Sequence, residues 1–322
     1  MRPRTARPGR ASRARPGPAA RLRGPAAVLA AATGAAGVAR ATYGALTRRP
    51  PGGAAAWTRT NHRGEQVTLL EGPALTVGGV AVSALGPGLP PRVRAALAVA
   101  GTGAAAFGGY DDLAGSGSRR GFRGHLGALA RGQVTTGAVK LGGIGASGLV
   151  SAALLGGEAA DVVINAGLVA GGANLLNLFD LRPGRALKVA LAGGALLATR
   201  PAARPAVAAP AGAALALLPE DLRERAMLGD AGANALGALL GVAAAASLSR
   251  PARVALLAAI TGLTAASEVV SFTAVIERTP ALRWLDMAGR RPVVPAPPVP
   301  GRDDLLSAQS REAGTTAAAA PS

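Results

Sequence analysis

The sequence predicts an all-α fold, a polytopic membrane bundle of about nine to ten transmembrane helices, on three observations. Apolar runs recur between residues 25 and 272, separated by short polar turns. The chain is 49% hydrophobic but only 2% aromatic, with 46 Gly. That is poor material for a water-soluble core of large side chains, and it suits membrane helices whose backbones approach closely. Finally, acid-bearing turns follow alternate apolar runs, although only 17 of 322 residues are acidic. If the runs cross a membrane, these turns all emerge on one face.

Residues 1–24 read as a disordered Arg/Pro-rich tail. A basic stretch before an apolar run also fits a signal peptide, but the later runs favour an uncleaved first span. Nine spans follow, near 25–46, 67–88, 93–110, 134–156, 161–179, 186–200, 204–218, 232–249 and 252–272. The sixth and seventh are short and separated only by Arg200-Pro201-Ala202-Ala203-Arg204. Gly167-x-x-x-Gly171 and Gly237-x-x-x-Gly241 carry the small-residue spacing of close helix pairs. The membrane domain is thus 25–291, and 292–322 reads as a disordered Pro/Ala-rich tail.

Loop charge sets the expected orientation. The net charge is +18, nearly all from Arg. A basic chain of this kind can bind nucleic acid, but these charges lie in loops between apolar runs, where anionic lipid headgroups explain them better. Loops after odd spans hold Arg48, Arg49, Arg59, Arg63, Arg119, Arg120, Arg123, Arg131, Arg182, Arg185, Lys188, Arg223 and Arg225. Loops after even spans hold only Arg92, Arg94, Arg200, Arg204, Arg250 and Arg253. The imbalance places the acid-bearing turns in the cytoplasm. The Arg-rich N-terminal tail points the other way, and the sum over loops outweighs it. With no Cys, disulfides and thiolate metal sites are excluded.

Each motif has a chemical reading beside a plain one. Asp111-Asp112 follows the third span, where paired carboxylates can hold Mg²⁺ or take a proton, or simply end a helix. Asn174, Asn177 and Asp180 recur every three residues and share a helix face if the fifth helix runs through them. They can read a base or ribose, or form a polar packing stripe. In Gly229-Asp230-Ala231-Gly232-Ala233-Asn234, small residues let backbone amides approach a phosphate while Asp230 ligates a cation; an ordinary helix N-cap is the alternative. Lys140, in the apolar start of the fourth span, neutralises a carboxylate, binds phosphate or snorkels to the interface. Asn61 and Arg63 contact phosphate or belong to a basic inside loop. His62 and His125 read as solvated loop residues. Glu268 is the weakest of the acidic positions.

In this order the motifs resemble the polyprenyl-phosphate N-acetylhexosamine-1-phosphate transferase superfamily over roughly residues 25–290. The pattern includes Thr60-Asn61-His62-Arg63-Gly64 leading to Glu71-Gly72-Pro73, an Asp-Asp after span three, an Asn-x-x-Asn-x-x-Asp after span five and a Gly-Asp-x-Gly before span eight. The resemblance implies transfer of a sugar-1-phosphate from a UDP-sugar to polyprenyl phosphate at the cytoplasmic face of the plasma membrane. UMP is released with Mg²⁺ as cofactor, in cell-envelope glycan synthesis such as that of peptidoglycan. It implies Asp230 as metal ligand, Asp111 and Asp112 as the pair activating the lipid phosphate with Lys140 beside them, and Asn61, Arg63, Asn174, Asn177 and Asp180 on the nucleotide side. The expected partners are the carrier lipid, the UDP-sugar and the membrane, with a homodimer compatible and no nucleic acid.

Three features depart from the family. Asp180 is followed by Leu181-Arg182-Pro183-Gly184, so Pro183 stands where a second carboxylate is usual. Glu277 to Arg291 contains no His, leaving Arg278, Arg283, Arg290 and Arg291 as the cations of that loop. No tenth span follows. These departures keep open a non-catalytic family member that binds polyprenyl phosphate or an envelope-synthesis partner. A transporter fits less well, because the acids cluster at one face and not at mid-membrane.

Overall fold

The computed structural model describes residues 24–86, 88–114 and 131–292. The chain divides into two units, Met1–Arg290 and Arg291–Ser322, and the elements below belong to the first. The tails, Arg119, Arg120, Arg123 and His125 lie outside the described residues.

The described residues are mostly helical, and a helix stands at each of the nine apolar runs. They are α1 (Pro25–Arg48), α3 (Glu71–Leu85), α4 (Pro91–Ala114), α5 (Thr136–Leu155), α6 (Ala159–Phe179), α7 (Arg185–Ala198), α8 (Arg204–Leu222), α9 (Gly229–Ser247) and α10 (Arg250–Ser267). A short α2 (Ala54–Trp57) precedes a hairpin of β1 (Thr58–Thr60) and β2 (Gln66–Thr68), paired Thr58 to Thr68, Arg59 to Val67 and Thr60 to Gln66. The second run therefore starts as strand, and its helix begins only at Glu71. After α10 the chain turns by 93° into α11 (Phe272–Arg278), then α12 (Pro280–Met287).

Among the described residues, two helices are long and apolar enough to cross a membrane, α5 and α6, or three segments if bent α10–α11 counts as one. For four of the others a physical reason for falling short is evident. A crossing takes about 20 residues, whereas α3 has 15 and α7 has 14. Helix α4 carries Arg92, Arg94, Asp111 and Asp112, and α8 has Pro210 and Pro219 inside it.

Helix α9 is the hub. It packs against α6, α4 and α3, with smaller contacts to α8, α7 and α5, and 15 of its 19 residues are buried. Its Ala/Gly composition explains the role, because only small side chains let several backbones close on one helix. A Cβ placed on Gly237 would lie 2.2 Å from the Gly172 carbonyl oxygen of α6, and one on Gly241 would lie 2.5 Å from that of Leu168. Gly167 and Gly171 instead receive Leu257 and Ile260 of α10. Gly237→Val is expected to force α9 and α6 apart and cost about 1–3 kcal/mol or more, read as a lower Tm and loss of a monodisperse peak in detergent. By contrast α5 and α6 keep Leu149, Val150, Leu154 and Val163 exposed.

Candidate active site

One end of the bundle gathers the termini of many helices: α4, α6 and α8 finish there, and α5, α7 and α9 begin there. The arrangement starts from close packing of α4 on α9. A Cβ on Gly108 would sit 2.3 Å from the Asp230 carbonyl oxygen, so only Gly lets the last turn of α4 lie against the first turn of α9.

That approach brings Asp111 and Asp112 to α9, where they take different work. Asp112 Oδ1 accepts from the Asp230 amide at 3.0 Å and Oδ2 from the Ala231 amide at 2.9 Å. The Gly229 amide bonds the Asp180 carboxylate. Three consecutive amides at the start of α9 are thus held by two carboxylates, one from α4 and one from the turn after α6. Leu228 at the N-cap offers no side-chain bond of its own, so Asp112 and Asp180 supply the cap that helix starts need. These are the amides that the sequence offers to a phosphate; here protein carboxylates take them. Arg59 of the hairpin donates to the backbone carbonyl of Asp112.

Asp111 points the other way. Lys140 Nζ, near the start of α5, lies 2.7 Å from Asp111 Oδ2 and 2.5 Å from Asp230 Oδ2. One ammonium joins two carboxylates from two further helices. Burial opposes charge on Asp111, but hydrogen bonds from Lys140, Thr136 and Asp230 hold its carboxyl below the usual range. Burial pushes Asp230 up despite Lys140. Lys140 and burial thus act in opposite senses on the two acids. Burial also raises Asp112, with the Asp230 charge adding to it.

Beside this centre lies a cleft of about 560 Å³ lined by Asn61, His62, Asp180, Arg182, Pro183 and Asp221, among others. Asn61 Oδ1 accepts from the amides of Arg63 and Glu65, and its Nδ2 donates to Glu224 Oε2 at 3.0 Å. Asn61 therefore shapes the hairpin tip while reaching the cleft. Arg63 lies 3.0 Å from Glu224. Burial and the nearby Arg182 lower His62, partly opposed by Glu224. Asp180 is raised by burial and by Asp221 and Asp230.

Helix α6 ends at Phe179, and Asp180 follows it as a turn residue. The expected stripe thus keeps Asn174 and Asn177 on the helix, outside the lining of the cleft, and sends Asp180 alone into it. Glu268 caps α10 as an exposed residue apart from the cluster.

Several charged residues here were not singled out from sequence. Glu220, Asp221 and Glu224 fall within five residues of a chain poor in acids, and that density was the available signal. Glu220 pairs with Arg40 at 2.7 Å and Arg225 at 2.8 Å, tying α1 to α8. Glu71 of the Glu71-Gly72-Pro73 motif is fully buried, and among the described residues neither of its carboxylate oxygens has a hydrogen-bond partner. Arg290, expected as a phosphate contact, instead pairs at 2.6 Å with Asp286, which Arg185 also grips at 2.7 Å.

Carboxylate oxygens are hard donors of the kind Mg²⁺ takes. Asp111 and Asp230 already share one cation, the Lys140 ammonium, so a metal ion would compete with it for these two carboxylates. Among the described residues no three His, Cys, Asp or Glu side chains gather closely enough to cage an ion. A Mg²⁺ here would be shared with substrate phosphates, as is usual for this ion.

No known family profile and no curated protein matches the chain.

Proposed function

We propose that the chain is a divergent polyprenyl-phosphate N-acetylhexosamine-1-phosphate transferase. In this reading the helical bundle lies in the plasma membrane, and the Asp111–Lys140–Asp230 end faces the cytoplasm. The donor is a UDP-N-acetylhexosamine and the acceptor is undecaprenyl or a similar polyprenyl phosphate. The observation that carries this reading is the convergence of Asp111, Lys140 and Asp230 from three helices beside a cleft of nucleotide size. Motif order links the chain to the superfamily.

The residues divide the work as follows. A lipid-phosphate oxygen attacks the sugar-bearing phosphorus of the donor, and the phosphoanhydride bond to UMP breaks. The lipid phosphate attacks as its dianion, and Asp111, held ionised, keeps the Lys140 ammonium in place beside it. Lys140 offsets phosphate charge that builds at the reacting centre. Asp112 fixes the start of α9 and so the position of Asp230. Asp111 and Asp230 would hold Mg²⁺, which supplies charge neutralisation of the diphosphate. Asn61 and Asp180 face the nucleotide.

One observation favours a second reading, a non-catalytic binder of lipid phosphate. Pro183 lines the cleft where the family carries a carboxylate. The test is UMP release from UDP-N-acetylhexosamines with undecaprenyl phosphate and Mg²⁺, using purified protein and Asp230→Asn. Lipid-dependent release that falls at least 10²-fold in the variant is the expected result. Silence with every donor, from protein that still binds the lipid, establishes the binder instead.

A further inference from the structure

Asp221 lies in the last turn of α8 and is 2% exposed. Its carboxylate takes the Gly184 amide, yet among the described residues Oδ2 has no hydrogen-bond partner, although the residue lines the 560 Å³ cleft. Of the cations around it, Arg182 lines the same cleft and donates to the Leu181 carbonyl, and the others are committed elsewhere. Arg63 is on Glu224, Arg185 and Arg290 are on Asp286, and Lys188 donates to the Leu285 and Asp286 carbonyls. A buried acceptor without a donor costs about 1–3 kcal/mol, so a fold that keeps one beside a cleft leaves it for a ligand.

The chemistry of the group that meets Asp221 follows from the two acids, while Arg182 and His62 of the same lining supply donors for other parts of a ligand. Asp221 and Asp180 both bring acceptor oxygens to the cleft, and each already holds one backbone amide. A phosphate, itself all acceptor, does not answer them. Hydroxyl groups do, and a vicinal diol matches a carboxylate, as in ribose recognition by the acidic residue of dinucleotide folds. We infer that Asp221 is a specificity residue whose free Oδ2 accepts from sugar hydroxyls of the ligand in this cleft. The inference rests on the transferase reading for the identity of that ligand, a uridine diphosphate sugar, whose ribose and hexose both carry hydroxyls.

The test measures binding by calorimetry in detergent, with Mg²⁺, for the wild type and Asp221→Ala. The probes are UDP, 2′-deoxy-UDP and a UDP-N-acetylhexosamine, and thermal melts confirm that the variant is folded. If the ribose is read, UDP binds the wild type about tenfold or more tightly than its deoxy analogue, and the ratio falls to near one in the variant. If the hexose is read, UDP and deoxy-UDP bind alike while the UDP-sugar binds more tightly than UDP, and Asp221→Ala removes that advantage. Asp221→Asn, which keeps an acceptor oxygen, restores part of either ratio, a recovery that a purely structural role would not produce. Uridine nucleotides that bind with both ratios unchanged in Asp221→Ala overturn the inference and leave the transferase reading standing. Absence of any uridine nucleotide binding to the wild type overturns both.

Discussion

Lys140→Met is expected to lower lipid-dependent UMP release by about 10²–10³-fold, the usual cost of deleting one charge-stabilising group from a reacting centre. The same variant is expected to bind Mn²⁺, as a Mg²⁺ surrogate, more tightly than the wild type. Lys140 is a fixed cation between Asp111 and Asp230 at 2.7 and 2.5 Å. Its removal leaves two adjacent carboxylates whose repulsion an incoming divalent ion relieves. Titration followed by electron paramagnetic resonance checks this without any turnover. Weaker Mn²⁺ binding in Lys140→Met would show that the lysine positions the carboxylates and does not compete for them. Asp230→Asn moves the other way, losing both metal affinity and activity.

Asp112→Ala is expected to destabilise the protein, and Asp111→Ala to inactivate it without doing so. The two residues are neighbours in sequence but not in duty. Asp112 satisfies two partly buried amides of α9, and a buried amide left unsatisfied costs about 1–3 kcal/mol. Asp111 bonds Lys140 through its side chain and caps no helix. A shift in Tm confined to the Asp112 variant, with partial recovery in Asp112→Asn, confirms this division. Equal melting of the two alanine variants refutes it.

How far the chain could be read before its structure depended on whether the signal was local. Helix positions were legible because apolar runs and Gly/Pro punctuation are local, and α1, α6 and α9 begin or end within a few residues of expectation. The hairpin at 58–68 was not, since two strands of three residues leave almost no pattern. The 93° turn after α10 was also missed, because apolar composition continues through Val269 and Val270. Asp111, Lys140 and Asp230 were legible as rare charges at apolar boundaries. That Asp112 would cap a helix 118 residues away was not, because the α9 sequence contains nothing that names the donor of its cap. The same holds for Asp221, whose free oxygen becomes evident only beside the cleft.

The contact between Gly172 and Gly237 constrains how this protein can change over time. Each backbone occupies the space where the other residue's side chain would begin. A larger residue at either position is therefore not a step that a later change at its partner can rescue, since neither has an atom to give up. Drift in homologous chains should spare this pair together while the outward faces of α5 and α6 vary freely. An alignment would then display α9 as a column of near-constant small residues, for reasons of clearance and not of catalysis.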